Sequence, residues 1–494
     1  MSKFITSSLW NFGANLVVRM MSIITFPFLV RFFLREDISI FKSFQAFVLL
    51  LLAIIPIGTN ILYLAAPQEN REKRWNLFFH VSLIVGVIFS LVILLSDTIT
   101  SFFIRDQLGG YLRLIMVLLP LIVALKSIAI TKLSSIIDFK GISIALIMKQ
   151  LLLYSGIISF AFINPTLVVL LIIIFFAELM ELLVLFSHSR KMKVSLLPYP
   201  NYKRFGFDKT ARKFIACSGT EQIILNFALQ FPTILVVIVM GETIAPEFQL
   251  PFAAVALPVS LVMNSVAKVS FPHYSNLREN DKIKSSLFSV LFPVTFILFP
   301  ILLGIHFFAS EITHIFFDRT WQLANFSLQL FPFLMMAYII GVPSTFISNI
   351  KQKPHINLIY SITLLISRVL TIYFGYKIGG FYGTIILFVV GDMIVRTARL
   401  WIDMSLLHLS LVKFFHYIRY NILSMLILFA LMWFLYYLTD MKIISFLVAC
   451  LVAVALNYYW ERDKVKDIYI KLRDAIWKRG AAASIPSSDF EEVK

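Results

Sequence analysis

Charged residues are scarce in this chain. Only 14% of its 494 residues are Asp, Glu, Lys or Arg, whereas 59% are hydrophobic. Soluble domains carry about 25% charged residues, so this composition excludes an ordinary water-soluble protein. The chain has only two cysteines, Cys217 and Cys450, and they lie in separate apolar segments. That arrangement excludes a disulfide framework and gives no metal-binding spacing.

Motifs of soluble catalysis are missing as well. The sequences G-x-x-x-x-G-K-S/T, H-E-x-x-H and C-x-x-C do not occur. The chain therefore carries no ATPase motif and no obvious hydrolase motif. The first apolar run lacks a small-residue cleavage site and contains Arg19, which argues against a signal peptide. We therefore expect no enzyme activity and no cofactor. Any transport by this chain would draw its energy from the membrane potential or from coupling to H⁺ or Na⁺.

Long apolar runs dominate the chain instead. A helix of roughly 20 apolar residues crosses about 30 Å of hydrocarbon. Lipid cannot form hydrogen bonds with backbone polar groups, so only helices and closed barrels cross a membrane. The runs do not alternate apolar with polar residues as barrel strands do, and we therefore predict an all-α polytopic membrane protein. The fourteen predicted spans are 5–31, 42–66, 76–96, 111–135, 142–162, 166–187, 213–240, 248–271, 285–308, 322–349, 356–376, 381–408, 417–438 and 443–460.

The two halves of the sequence resemble each other. The hexapeptide that begins at Lys3 is similar to the one that begins at Lys213, and Pro120 lies 212 residues before Pro332. This repeat predicts two six-helix lobes related by a parallel pseudo-two-fold axis, with a helix pair appended. The predicted parts are the N-lobe (1–187), a basic linker (188–212), the C-lobe (213–408), helices 13 and 14 (409–460) and a basic amphipathic tail (461–494).

Lysine and arginine predict the orientation. With the N-terminus inside, 29 of the 44 basic residues fall in inside segments and 8 in outside loops. Both termini are therefore predicted to be cytoplasmic. The net charge of +17 then faces anionic lipid headgroups, and we expect no nucleic-acid partner.

Ionisable side chains inside the spans are the candidate functional residues, because a charge in hydrocarbon usually faces a cavity or a partner. The candidate substrate-binding cations are Arg19, Arg368, Lys149, Lys126 and Lys268. The candidates for ion coupling or charge balance are Glu178, Asp392, Glu221 and Arg396. Of these, Lys126 and Lys268 could equally extend to the membrane surface.

Two interpretations of these charges remain open. They could line a cationic cavity for an anionic group, since arginine binds phosphate with two charge-assisted hydrogen bonds. They could also neutralise one another between helices, which the four-residue spacing of Asp392 and Arg396 favours. Arg19 and Arg368 have no acid within four residues on their own helices. That absence favours a cavity role for both.

The opening segment carries a family resemblance. Residues 10–15 (WNFGAN), followed by 27–32 (PFLVRF), are similar to the first helix and its exit in O-antigen (Wzx-type) flippases. These form the polysaccharide-exporter branch of the multidrug/oligosaccharidyl-lipid/polysaccharide (MOP) exporter superfamily. The number of helices, the lobe repeat and the basic linker extend the resemblance over the whole chain.

The resemblance implies a flippase of the bacterial plasma (inner) membrane. Its substrate would be an oligosaccharide on undecaprenyl diphosphate (an O-antigen, capsule or exopolysaccharide unit), moved to the outer leaflet by alternating access. Implied partners are this lipid, the bilayer, a polysaccharide polymerase and glycosyltransferases. The alternatives are a peptidoglycan-precursor (lipid II) flippase, a drug exporter, and a membrane glycosyltransferase or polysaccharide polymerase. The glycan, the coupling ion and the oligomeric state stay open.

Overall fold

The computed structural model describes residues 2–64, 66, 68–103, 109–136, 138–199, 212, 215–275, 277, 279–317, 320–351 and 353–460. All regular structure within them is helical. The long helices are α1 (Ser2–Phe32), α2 (Arg35–Ile54), α3 (Gln68–Leu95), α4 (Gly109–Ser135), α5 (Phe139–Ile163), α6 (Leu167–Lys191), α7 (Thr220–Met240), α8 (Pro246–Ser275), α9 (Asn280–Phe307), α10 (Gln322–Gly341), α11 (355–378), α12 (381–406), α13 (Arg419–Thr439) and α14 (Lys442–Trp460). Short helical segments are Thr59–Leu64, Asp97–Phe103, Ile215–Gly219, Ala309–Ile312, Thr313–Phe317, Val342–Ser344, Ile347–Ile350 and Leu411–Tyr417.

The described residues provide helices for fourteen membrane spans, the number predicted. Thirteen helical stretches are long and apolar enough to cross a membrane. One of them, His355–Leu406, has 52 residues and non-helical backbone at Gly379 and Gly380. A straight helix of that length would measure about 78 Å, more than twice the hydrocarbon thickness. It is instead the hairpin of α11 and α12, which counts as two spans.

Glycines allow the two helices of this hairpin to approach closely. Gly380 has a positive φ of 57° at the turn, a conformation that glycine adopts without steric cost. A Cβ atom at Gly383 would lie 2.5 Å from the carbonyl oxygen of Gly375, and one at Gly391 would lie 2.6 Å from the methyl group of Thr371. At Gly383 no side chain fits unless the two backbones separate, and at Gly391 the side chain of Thr371 would have to move.

We expect Gly383→Ala to lower the free energy of unfolding by about 1–3 kcal/mol, the usual cost of overpacking a tight contact. Gly379→Ala is the matched control, because no atom lies within 4 Å of a Cβ there and φ is −143°. Thermal unfolding of the two purified variants in detergent compares them. Equal melting temperatures for both variants would contradict the close hairpin.

The helices form two six-helix lobes. In the first lobe α1 packs on α5, α3 on α4, and α6 on both α4 and α5. In the second lobe α7 packs on the α11–α12 hairpin, and α10 packs on α8, α9 and the hairpin. The appended α13 and α14 pack on each other, and α13 contacts α9, where Asn421 Nδ2 donates to Thr295 Oγ1 at 2.8 Å. The lobes meet mainly through α2 and α7.

The second predicted span, 42–66, is wrong at both ends. The helix begins at Arg35 and ends at Ile54, and the chain then turns through Ile57 and Gly58, both with positive φ. The charged segment after residue 34 indicated a loop, but its acidic residues lie in the first turn of α2, where they favour the positive end of the helix dipole. Asp37 is buried there.

The start of the predicted linker belongs to the N-lobe. Helix α6 continues to Lys191, beyond the predicted boundary at 187. The indole nitrogen of Trp75 donates to Leu197 O at 3.1 Å, and Tyr199 N donates to Asn76 Oδ1 at 2.8 Å. Linker residues 200–211 and the tail 461–494 lie outside the described residues. The domain boundaries and the orientation stay predictions; "cytoplasmic" and "extracytoplasmic" below follow that orientation.

Candidate functional site

A cavity of about 510 Å³ lies between the two lobes. Its walls come from α1, α2, α5 and α6 on one side and from α7, α8, α10, α11 and α12 on the other. A cavity of this volume is typical of sites that bind small molecules. The charged and polar residues that line it are Arg19, Ser22, Lys42, Gln45, Lys149, Gln150, Tyr154, Glu178, Gln230, Thr233, Gln249, Ser260, Tyr338, Arg368 and Arg396.

Four charges on the N-lobe side form one buried network. Lys126 of α4 contacts Glu178 and lies 3.0 Å from Glu181 Oε2, both on α6. Lys149 of α5 lies 2.5 Å from Glu178 Oε1 and 3.1 Å from Glu181 Oε2. Two lysines and two glutamates cancel in net charge. The network therefore joins three helices, and removal of one partner would leave a buried charge without compensation.

The C-lobe side has a second network with one acid fewer. Asp392 of α12 accepts from Arg368 Nε at 2.6 Å and from Arg396 Nε at 2.5 Å. Arg368 Nη1 also donates to Ala228 O at 2.7 Å, which joins α11 to α7. The guanidinium of Arg396 lies 4.8 Å from the ring centre of Tyr338. One carboxylate between two guanidinium groups leaves this network with a net positive charge.

Arg19 and Lys42 face the cavity without a carboxylate. In the described part of the chain neither forms an ion pair: Lys42 Nζ donates to Gln45 Oε1 at 3.3 Å, and Arg19 lies near Tyr154. A cation in the membrane interior costs several kcal/mol when nothing balances it. Both side chains are therefore available to an anionic group in the cavity.

The cavity is positively charged as a whole. The lining residues and their ion-pair partners comprise six cations and three carboxylates. The cations are Arg19, Lys42, Lys126, Lys149, Arg368 and Arg396, and the acids are Glu178, Glu181 and Asp392. An anionic group fits this field better than a cationic one.

The structure brings seven of the nine candidate residues to this site. Those that line the cavity are Arg19, Lys149, Glu178, Arg368 and Arg396, and those directly behind it are Lys126 and Asp392. Glu221 is half-buried at the start of α7, away from the lining. The side chain of Lys268 lies outside the described residues.

The structure adds detail to two of the candidate charges, and one residue was missed. Arg368 lines the cavity and has no acid nearby on its own helix, but Asp392 on the next helix pairs with it. Of the two positions left open for Lys126, the structure shows the buried one: its side chain is 2% exposed and contacts the glutamates of α6. Lys42 was missed because the predicted second span began there, which placed this lysine at a membrane surface. The charged first turn of α2 was the signal that could have found it.

Two of the three carboxylates predicted for ion coupling or charge balance, Glu178 and Asp392, already bind two cations each. Glu178 contacts Lys126 and Lys149, and Asp392 contacts two arginines. A proton or Na⁺ would have to compete with those cations for the carboxylate oxygens. In the described part of the chain, no three His, Cys, Asp or Glu side chains cluster as a metal site.

Contacts between the lobes lie at the extracytoplasmic end of the cavity. Arg35, in the first turn of α2, lies 2.7 Å from Glu247 Oε1 in the first turn of α8. It also donates to Thr320 O at 2.7 Å and lies 4.7 Å from the ring centre of Trp321. The other carboxylate oxygen of Glu247 accepts from Ala324 N at 2.8 Å. We refer to Arg35, Glu247, Thr320 and Trp321 as the interlobe lock.

The lock joins the second helices of the two lobes. Arg35 lies in the first turn of α2, and Glu247 lies in the first turn of α8. A second contact joins the first turn of α2 to the turn that precedes α8: Thr243 Oγ1 donates to Glu36 Oε1 at 3.1 Å.

Sequence comparison places the chain among proteins of polysaccharide synthesis. The family model described as polysaccharide biosynthesis protein matches residues 28–325, more than half of the chain. A relative from Klebsiella pneumoniae, named an uncharacterized membrane protein in the cps region, is 22% identical over 195 residues. That alignment covers 39% of this chain and 40% of the relative. The chain thus matches about two fifths of the relative's length.

Solved structures with the same fold are transporters of the MOP superfamily. An inward-facing multidrug resistance MATE family transporter is 16% identical, with a TM-score of 0.57 over 81% of this chain and 94% of that one. A MATE transporter in complex with MaD3S is 14% identical, with a TM-score of 0.62 over 82% and 95%. A MOP transporter from Pyrococcus furiosus, described as having a binding pocket of reverse polarity, is 14% identical, with a TM-score of 0.61 over 82% and 95%. At these identities the likeness establishes the fold alone.

The family match and the fold agree with the resemblance that the opening segment carries. The match begins at residue 28, inside α1, and ends at residue 325, in α10, so it covers parts of both lobes. The cavity residues Arg19, Arg368 and Arg396 lie outside it. The chain is a multi-pass membrane protein, and it belongs to the polysaccharide biosynthesis protein family.

Proposed function

We propose that this protein is a flippase that moves an undecaprenyl-diphosphate-linked oligosaccharide from the cytoplasmic to the outer leaflet. The observation that carries the proposal is Arg19, which faces a net positive cavity between the lobes without an acid of its own. A diphosphate supplies the missing negative charge. Guanidinium groups bind phosphate oxygens with paired, charge-assisted hydrogen bonds.

The sugars and the prenyl chain of the proposed substrate also fit the cavity and its surroundings. Sugars need hydrogen-bonding groups, and four glutamines line the walls: Gln45, Gln150, Gln230 and Gln249. The prenyl chain needs no protein cavity, because it is as apolar as the surrounding lipid and can remain there. Alternating access would then expose the same site first to one side of the membrane and then to the other.

The membrane potential favours this direction of movement. Each negative charge that crosses outward gains about 2.3 kcal/mol per 100 mV when the inside is negative. A diphosphate with two charges gains about twice that amount. Export therefore proceeds without ATP. Ion coupling through Glu178 or Asp392 would require one of the two ion-pair networks to open.

The charge of the cavity separates this proposal from a cation or drug exporter of the same fold. Such a protein would need carboxylates that are free to bind a cation, whereas the three acids here are all held by basic side chains. A lipid II flippase carries the same diphosphate, so the charge does not separate it from our proposal. The relative in the cps region favours surface polysaccharide.

We expect Arg19→Met to slow flipping by about 10- to 100-fold, the effect of losing one charged hydrogen-bond donor. The measurement uses the full-length protein in liposomes with a fluorescent undecaprenyl-diphosphate saccharide and a membrane-impermeant quencher. Arg19→Lys keeps the charge and should retain most of the rate. Met20→Leu is the matched control, because Met20 is 53% exposed on the outside of the same helix.

A wild-type flipping rate in the Arg19→Met protein would contradict this role for the cavity. Turnover of a sugar donor by purified protein, with transfer of labelled sugar to lipid, would instead support the glycosyltransferase alternative.

A further inference from the structure

The lobes also contact each other at the cytoplasmic end of the seam between α2 and α7. A Cβ atom at Gly219, the last residue of the short helix before α7, would lie 2.6 Å from the carbonyl oxygen of Ile57. Ordinary contacts of a Cβ atom begin at 3.4 Å, so no side chain fits there without movement. The backbone of Gly219 is helical, with φ −66° and ψ −48°, and would accept any residue. The other lobe, and not the local conformation, therefore requires glycine. We refer to this contact of Gly219 with Ile57 as the seam foot.

The N-lobe side of the seam foot is strained and firmly held. Ile57 has a φ of 47°, which is rare for a β-branched residue and persists only where the surrounding structure fixes it. Across this turn Thr59 N donates to Pro56 O at 2.9 Å. The short helix that follows packs on α3 and α4, where Tyr63 OH donates to Ser135 Oγ at 3.0 Å. The carbonyl group of Ile57 is therefore a fixed point of the N-lobe.

The C-lobe side of the seam foot is also held by its own lobe. Gly219 leads directly into α7, and both α7 and the short helix Ile215–Gly219 contact the α11–α12 hairpin. The two backbones of the seam foot are thus each attached to a separate lobe. They cannot move closer, because closely packed protein atoms leave no free space between them. A rotation of one lobe against the other is the movement that this contact permits.

The seam is joined more weakly between the seam foot and the interlobe lock. Ser43 Oγ of α2 donates to Thr233 O of α7 at 3.4 Å, and Gln249 Nε2 of α8 donates to Ser43 Oγ at 3.4 Å. Hydrogen bonds of this length are weak. Helix α2 has 20 residues, so the lock and the seam foot are about 30 Å apart. With an arm of that length, a rotation of about 20° about the seam foot separates the lock by about 10 Å.

We propose that the seam foot is the pivot about which the two lobes rotate. The lobes stay in contact where Gly219 meets Ile57, and the interlobe lock opens and closes at the far end of the seam. The extracytoplasmic end of the cavity then opens while the cytoplasmic ends of α2 and α7 remain joined. This inference goes beyond the proposed function, because it concerns the joint between the lobes and holds for any substrate.

Two pairs of spin labels test the pivot in the full-length protein in lipid nanodiscs, with both native cysteines replaced by serine. The outer pair is Leu34 with Ile315, and the foot pair is Leu64 with Thr220; all four side chains are exposed. Glu247→Arg places two cations in the lock and drives it open. In that variant we expect double electron–electron resonance to show an outer distance longer by about 10 Å and a foot distance changed by less than about 3 Å.

A glycine substitution tests the contact itself. Gly219→Ala forces the two backbones of the seam foot apart, and we expect it to lower the melting temperature by about 2–5 °C. Gly341→Ala is the matched control. Gly341 lies at the cytoplasmic end of α10 with φ −78° and ψ −37°, and no atom lies within 4 Å of a Cβ there. We expect the control to melt within about 1 °C of the wild type.

Four results would overturn the inference. A foot distance that lengthens together with the outer distance would show that the lobes separate as whole bodies. A foot distance that shortens as the outer distance lengthens would place the axis nearer the middle of the seam. Equal melting temperatures for the two glycine variants would show that the contact at Gly219 is not tight. An unchanged outer distance in Glu247→Arg would show that loss of the lock causes no rotation.

Discussion

Replacement of Asp392 by asparagine is expected to destabilise the C-lobe by about 3–5 kcal/mol, the usual cost of leaving a buried charge without its partner. Asp392 is 1% exposed and is the acceptor for both Arg368 and Arg396. Its loss leaves two guanidinium groups together in the membrane interior without an acid. We expect a strongly reduced yield of folded protein and a lower melting temperature in detergent.

Arg396→Met is the informative comparison. It removes one arginine from the same network and leaves Arg368 and Asp392 as a balanced pair. We expect its stability to be close to that of the wild type, although the ion pair between Arg396 and Asp392 is lost in this variant as it is in Asp392→Asn. If Arg396→Met were as unstable as Asp392→Asn, the network would depend on each contact and not on its charge balance.

Reversal of one charge in the interlobe lock is expected to open the extracytoplasmic end of the cavity. Glu247→Arg places a second cation beside Arg35 and removes the acceptor of Ala324 N. The double variant with Arg35→Glu restores opposite charges at the same two positions. Because the lock joins the two lobes, its reversal should shift the population of conformations with little effect on each lobe.

Spin labels measure this shift directly. Leu34 and Ile315 lie on opposite lobes at this end and are 64% and 60% exposed, so cysteines there accept labels. With Cys217 and Cys450 replaced by serine, double electron–electron resonance should show a longer distance in Glu247→Arg. The wild-type distance should return in the double variant. An unchanged distribution in the single variant would show that the closure does not depend on this pair.

The helices of this protein could be predicted from the sequence because apolar length alone defines a span. The predictions 417–438 and 443–460 agree with α13 and α14 to within two residues. The same criterion failed at the second span, where charged residues inside a helix resembled a loop. Helix ends depend on capping and on contacts with other segments, which local composition does not report.

The ion-pair partners could be predicted only where they share a helix. Asp392 and Arg396 are four residues apart, and their pairing follows from helix geometry. Lys126 and Glu178 are 52 residues apart, and Arg368 and Asp392 are 24 apart. Those pairs depend on the rotation of each helix about its axis, which packing sets. The sequence was therefore sufficient to name a candidate residue. It was not sufficient to predict whether a residue on another helix forms an ion pair with it.

The interlobe lock also bears on how the chain is assembled. Glu247 follows Arg35 by 212 residues. At a synthesis rate of about 5–20 residues per second, roughly 10–40 s separate the two residues. During that interval Arg35 has no carboxylate partner in the lock, so the N-lobe must enter the membrane without the contact that later joins it to the C-lobe.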